Sequence, residues 1–310
     1  LKDFLYTNAK SVLHHIRPIN IFLAVFAEWS IYYILLRPLQ VANQLLSDRQ
    51  FIGFIGFSTG MMIAGYLIND LYDEGIDRAN ERNSPLIRGQ LSRKQLWFAF
   101  AAGQMLTLSS WIYLWQSYNF HGLIWLLWLG PAGLLFYATR LKCRPLAGNL
   151  LMAFFAACLP AMFLVRDPGL PWHPEFPGRI RFMFLWYLLF SFGATWFREI
   201  VKDLEDESGD RKGGCTTFPV RYGMASGRRY AINIGILYMT GLILFLIQLF
   251  MRVEILTWLW IAIIAVPTLA IALKNTVSRN YHQAQQWLKW HLTAGLLMLW
   301  IFKWMEVWNG

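Results

Sequence analysis

Asn69, Asp73 and Asp77 recur at every fourth residue in the run N-D-L-Y-D-E-G-I-D-R. Asp203, Asp206 and Asp210 recur at intervals of three and four in K-D-L-E-D-E-S-G-D-R. On a helix, residues three and four apart share a face, so each set forms one stripe of oxygen ligands. Asp70 starts on a neighbouring face of the first stripe with Glu74 below it, and Glu207 stands beside the second. Carboxylates crowded in this way repel one another unless a cation lies between them. Mg²⁺ suits such a pair of stripes, because it takes a few carboxylates and completes its shell with water and substrate phosphates. The chemistry this pattern could do is to hold a diphosphate. The same residues, taken one stripe at a time, also suit ordinary helix ends capped by Asn and Asp.

The elements that must carry the stripes are apolar. Hydrophobic residues make up 56% of the 310, charged residues 15% and aromatic residues 17%, a composition of membrane proteins. Runs near 18–36, 51–69, 95–115, 122–139, 147–165, 181–201, 228–250, 255–273 and 290–307 are each long enough to span a bilayer. The expected fold is therefore all-α: a single membrane domain over 1–310 with about nine transmembrane helices. The loops after the third and seventh runs are short enough to make helical hairpins. Both acidic stripes fall where a run gives way to a polar loop, at the ends of the second and sixth helices. They lie about 133 residues, or four helices, apart, which predicts two four-helix halves (about 15–140 and 145–275) plus a ninth helix around a central cavity.

Basic residues orient this bundle. With the N-terminus inside, about 21 of the 28 Lys and Arg fall on the cytoplasmic side and about 7 on the other. Both stripes then face the cytoplasm, as two half-sites of one site must, and the C-terminus lies outside. The excess of Lys and Arg over the 18 Asp and Glu sits in short loops between apolar runs, which argues for orientation or phosphate contacts and against nucleic acid. Residues 1–17 are polar and basic and the run after them is long enough to span, so no cleavable signal peptide is expected. Cys143, Cys158 and Cys215 lack C-x-x-C spacing and read as unpaired thiols. The Pro- and Gly-rich segment 166–180 reads as an external connector. His14-His15 reads as an interfacial pair, and Lys10, Arg17 and Lys289 as headgroup anchors. Glu28, near the middle of the first helix, either hydrogen-bonds inside the bundle or lines a cavity for a lipid tail.

The wording around the acids resembles the UbiA superfamily of intramembrane prenyltransferases. Beyond the two acidic signatures, Arg17-Pro18-Ile19-Asn20 resembles the family's opening R-P-x-N. Tyr137-Ala138-Thr139-Arg140-Leu141-Lys142, followed by Pro145 through Asn149, resembles the run joining its fourth and fifth helices. The second signature, from Arg198-Glu199 through Gly209-Asp210-Arg211 to Thr217-Phe218-Pro219, is similar to that of digeranylgeranylglyceryl phosphate synthase-like members. One departure follows the first signature: where many members carry Arg-Pro, this chain has Ser84-Pro85, with Arg82 and Arg88 nearby.

The resemblance implies Mg²⁺-dependent transfer of a prenyl group, of which geranylgeranyl is one, from a polyprenyl diphosphate. The acceptor is a lipid or aromatic compound, hydrophobic or amphiphilic, with geranylgeranylglyceryl phosphate a candidate. It implies two or more Mg²⁺ ions on Asn69, Asp73, Asp206 and Asp210. Lys142, Arg78, Arg88 and Arg211 would add fixed positive charge to the diphosphate, and Tyr137 a hydrogen bond. Asp77 would reach a second ion or fix Arg78 or Lys142, and Asp203 would act beside the metal or towards the acceptor. Asn20, Asn149, Arg198 and Lys202 join the substrate-binding set, with an Arg198–Glu199 ion pair the alternative for Arg198. Tyr66, Phe192 and Trp196 are candidates to stabilise an allylic carbocation through their ring faces. The implied location is a prokaryotic cytoplasmic membrane, among its lipids. Two other readings stand beside this one: a terpene cyclase of the same superfamily with no external acceptor, and an ion-coupled transporter.

Overall fold

In the computed structural model, residues 11–13, 15–37, 47–79, 85–118, 128–165, 169–251 and 255–308 are described. His14, Arg82, Ser84 and the stretches 119–127 and 252–254, on which the expected hairpin loops fall, lie outside them. No strand occurs among the described residues. The first helix, α1, runs Pro18–Ser30 and continues as π-helix through Ile31–Leu36. Pro18 occupies its first turn, where a missing N–H costs nothing. Helix α2 is Asp48–Ala79 and α3 is Arg93–Tyr118. Each opens on a reciprocal Ser-x-x-Gln cap: the Ser47 N–H donates to Gln50 Oε1 at 2.9 Å, and the Ser92 N–H to Gln95 Oε1 at 2.9 Å.

Helix α4 is a composite of π-helical Trp128–Ala132, the turn Gly133–Phe136 and π-helical Tyr137–Leu141, with Pro131 inside it. Helix α5, Ala147–Ala161, carries Pro160 in its last turn and tightens to a 3₁₀ segment, Met162–Val165. Helix α6 is Gly178–Lys212 and α7 is Met224–Met251, with the short helix Phe218–Tyr222 between them. Helix α8 joins Ile255–Trp260 to Val266–Val277 through π-helical Ile261–Ala265, and α9 is Tyr281–Trp308. Among the described residues six segments are long and apolar enough to cross a membrane, from α1, α2, α5, α6, α7 and α8.

α2 packs along α3, α5 along α6, and α9 against both α8 and α6. The α2–α3 contact is close: a Cβ at Gly60 would meet the Gly103 carbonyl at 2.8 Å, so glycine lets the two backbones approach. The core is aromatic, with Phe54, Phe57, Phe184, Phe197, Phe245 and Phe302 fully buried. Phe98, Met105, Leu244 and Phe250 are exposed on the outer faces, as side chains meeting lipid would be. Segment 169–177 is more than a connector. Leu170 and Phe176 are buried in the core, because α6 needs its apolar start covered where the bundle ends.

Both acid-bearing helices continue past their apolar portions. The runs at 51–69 and 181–201 become Asp48–Ala79 and Gly178–Lys212. Pairs four residues apart, Arg78–Glu74 at 3.3 Å and Arg211–Glu207, support the extra turns. Those turns hold the acids.

Candidate active site

The polar extension of α2 brings Asn69 and Asp73 onto one face, where Asn69 Nδ2 donates to Asp73 Oδ2 at 3.0 Å. Lys142, at the end of α4, reaches across to both. Its Nζ donates to Asn69 Oδ1 at 2.9 Å and to Asp73 Oδ2. The Lys142 N–H closes on Tyr137 O at 2.9 Å, so the π-helical turn that carries buried Tyr137 also sets the Lys142 backbone. Burial pushes the Lys142 ammonium pKa down, and Asp73 beside it opposes that shift.

On α6, Asp210 Oδ2 accepts from Thr217 Oγ1 at 3.1 Å, and Asp203 Oδ2 accepts from Asn149 Nδ2 of α5 at 3.0 Å. Lys202 Nζ lies 3.4 Å from Glu199 Oε2, whose other oxygen takes Arg198 Nη1 at 3.2 Å. Asp206 and Lys142 both act electrostatically on Asp210, while Asp73 and Asp77 act on Lys142. The two stripes therefore face each other across one ammonium group. Two further contacts hold them there. A Cβ at Gly213, just past α6, would overlap the Ile76 side chain of α2. Cys143, next to Lys142, is disulfide-bonded to Cys215, with Cα atoms 4.5 Å apart. That pair corrects the expectation of three unpaired thiols: packing of the two half-sites, not local spacing, brings the sulfurs together. Cys158 stays free.

Other residues take different partners. Asp70 is bound by His15 Nδ1 at 2.7 Å and Arg17 Nη2 at 2.8 Å. His15 is buried, so it is no interfacial side chain, and Arg17 is tied to α2 rather than left to headgroups. The Arg17 guanidinium also lies 4.9 Å from the Tyr66 ring centre, so that ring face already meets a cation, and Asn20 lies near the Tyr66 hydroxyl. Arg78 and Arg211 are exposed and paired with Glu74 and Glu207 on their own helices; Arg88 is exposed on the turn before α3. The Phe192 and Trp196 rings lie 5.7 Å apart on α6, tilted by 60° to each other. Glu28 is fully buried and accepts from Ser58 Oγ at 2.8 Å, which is the bundle-internal alternative for this carboxyl. Sequence reasoning missed His15, although a histidine two residues before Arg17 and an Asp70 off the main stripe were signals of that pairing.

Among the described residues no three His, Cys, Asp or Glu side chains form a group that holds a metal ion unaided. The donors Asn69, Asp73, Asp206 and Asp210 supply oxygen only. That fits Mg²⁺, which leaves most of its shell to water and phosphate.

The sequence profile of the UbiA prenyltransferase family matches residues 30–302. The chain belongs to the UbiA prenyltransferase family. With six membrane-crossing segments among its described residues, this UbiA member is an integral membrane protein. It is 28% identical over 249 residues to the digeranylgeranylglyceryl phosphate synthase of Methanobrevibacter smithii, covering 77% of this chain and 81% of that one. The chain spans about half the length of other curated relatives it matches, such as the synthase of Thermococcus sibiricus at 54%. Its fold is similar to that of a UbiA homologue from Aeropyrum pernix (TM-score 0.64, 15% identity, 93% of this chain and 97% of that one). It is also similar to that of an Archaeoglobus fulgidus homologue bound to GPP and Mg²⁺ (TM-score 0.58, 14% identity, 92% and 99%).

Proposed function

We propose that the protein transfers a geranylgeranyl group from its diphosphate to the free hydroxyl of geranylgeranylglyceryl phosphate, with Mg²⁺ as cofactor. The observation that carries this reading is Lys142 held between two acid-bearing helix ends, with Asp73 as its partner and Asp210 within its field. The Methanobrevibacter smithii relative supports the acceptor, and the Archaeoglobus fulgidus homologue supports a prenyl diphosphate with Mg²⁺.

Asn69, Asp73, Asp206 and Asp210 would hold the metal, two or more ions in all. When bound, Mg²⁺ supplies Lewis acidity towards the diphosphate leaving group. Lys142 and Lys202 add fixed positive charge to the same oxygens, where a preorganised cation stabilises developing charge without reorganising. Tyr137 donates a hydrogen bond, and Asp77 steadies Lys142. As the C1–O bond to diphosphate breaks, the rings of Phe192 and Trp196 face the allylic cation. The acceptor oxygen bonds to C1 and gives its proton to Asp203, which Asn149 orients. In this reading the chain forms nine spans in two four-helix halves plus one, in a prokaryotic cytoplasmic membrane. The N-terminus and site face the cytoplasm and the C-terminus lies outside.

Purified protein in nanodiscs tests the reading, with geranylgeranyl diphosphate supplied with and without geranylgeranylglyceryl phosphate and products read by mass spectrometry. Transfer should require the acceptor, stop in EDTA, return with Mg²⁺, and vanish in Asp73→Ala and Asp206→Ala. Cyclic hydrocarbon formed without acceptor, or transfer surviving in both variants, overturns it.

A further inference from the structure

Arg78 and Arg93 share one carboxylate on the outside of the bundle. Glu74 accepts from Arg78 Nη2 at 3.3 Å through one oxygen and from Arg93 Nη1 at 3.0 Å through the other. At 100° per residue, Arg78 and Gly75 lie about 140° and 200° round α2 from Asp73, so this group sits on the far side of the helix from the metal ligands. Each guanidinium carries five N–H donors, and the two side chains are 66% and 62% exposed. A single carboxylate therefore leaves most of those donors for another acceptor and leaves the trio with one net positive charge. Lys94 is exposed beside Arg93. Between the two arginines opens a groove of about 440 Å³ with Gly75 in its wall, where a Cβ would meet nothing within 4 Å.

The groove lies where hydrocarbon gives way to headgroups. α2 is apolar enough to cross a membrane and turns polar after Ile68, and α3, packed along it, begins at Arg93. Trp97 and Phe98 stand one turn further along α3 than Arg93 and Lys94 and are 43% and 79% exposed. From there Phe98, Met105 and Ile112 repeat every seven residues, all exposed, in an apolar stripe about 21 Å long. That exceeds the roughly 15 Å of hydrocarbon in one leaflet. A soluble partner meets the groove but not the stripe; a membrane lipid meets both.

We propose that Arg78 and Arg93 bind the phosphodiester of an anionic membrane lipid whose hydrocarbon chains lie along Trp97, Phe98 and Met105 of α3. A phosphodiester carries one negative charge, which neutralises the Arg–Glu–Arg trio, and its two free oxygens suit the guanidinium fork. Basic groups at the membrane surface attract anionic lipids in this way. Bound there, the phosphate ties the polar end of α2, which carries Asp73 and Asp77 on its other face, to the start of α3. The inference needs only the membrane setting and is independent of the acceptor.

Detergent-solubilised protein titrated with phosphatidylglycerol or phosphatidylcholine tests it, with bound lipid counted by native mass spectrometry. The parent should retain phosphatidylglycerol in preference to phosphatidylcholine. Arg93→Gln should weaken phosphatidylglycerol binding about fivefold, the scale of one basic side chain at an anionic surface, and Arg78→Gln combined with Arg93→Gln more than about tenfold. Glu74→Gln should strengthen binding, because the carboxylate no longer competes for the two guanidinium groups. A folding defect cannot imitate that gain. Arg229→Gln, which removes an exposed cation at the start of α7, should leave binding unchanged. Equal weakening in Arg229→Gln, unchanged binding in the double variant, weaker binding in Glu74→Gln, or no preference for phosphatidylglycerol overturns the assignment. So does displacement of the lipid by millimolar inorganic phosphate, which would make the groove a site for a soluble anion.

Discussion

Lys142 and Asp73 form an ion pair across 69 residues of sequence, and Lys142 also binds Asn69, so one ammonium group spans two of the expected metal ligands. It stands where a divalent ion would have to compete for Asp73. Lys142→Ala should therefore have two opposite effects. It should lower kcat by about 10²–10³-fold, the usual cost of removing a preorganised charge from a developing anion. It should also lower the Mg²⁺ concentration needed for half-maximal activity, because Asp73 loses its internal partner. A Mg²⁺ titration of parent and variant measures both, and an unchanged kcat would remove Lys142 from the diphosphate site.

Gly213 packs against Ile76, so the end of α6 touches the end of α2. Its φ is −78°, an ordinary conformation, so any cost of a side chain there is one of space. Gly213→Val should destabilise by about 1–3 kcal/mol through overpacking and should separate the acid stripes, reducing activity further than stability. Pairing it with Ile76→Ala makes room and should restore most of both. Thermal unfolding and turnover of the double variant check this coupling.

The acids, Lys142 and Tyr137 were legible because each sits in a local run whose spacing or wording carries the information. Helix ends were less legible: hydropathy sees only the apolar part of α2 and α6, while the turns bearing Asp77 and Asp210 are held by surface ion pairs. The His15–Asp70 and Cys143–Cys215 contacts, 55 and 72 residues apart, depend on how the helices pack. No local pattern encodes that. The Arg17–Asp70 pair fell to the same limit, since Arg17 alone looks like a headgroup anchor.

Glu28 is held inside the bundle by Ser58, eight residues along α1 from Asn20. Glu28→Gln keeps an acceptor for the Ser58 hydroxyl and should leave unfolding temperature and turnover close to the parent. Glu28→Ala removes that acceptor and opens a gap, which should cost about 1–3 kcal/mol with kcat unchanged. A drop in kcat for Glu28→Gln at unchanged stability would instead place this carboxyl against substrate.

The Cys143–Cys215 bond closes a loop that contains α5 and α6 and ties the Lys142 turn to the segment carrying Thr217. Thr216 already reaches the Cys143 carbonyl at 2.9 Å through both its N–H and its hydroxyl, so the two segments touch without the sulfurs. The bond should therefore add stability rather than create the site. Thiol titration of denatured, unreduced protein should count one group, Cys158, rising to three after dithiothreitol. Cys143→Ser should lower stability by about 2–4 kcal/mol and retain Mg²⁺-dependent turnover below the unfolding temperature. Turnover lost at temperatures where the variant remains folded would mean that the bond itself positions Lys142. Three free thiols in the unreduced protein would mean that the pair stays reduced, as most cytoplasmic thiols do.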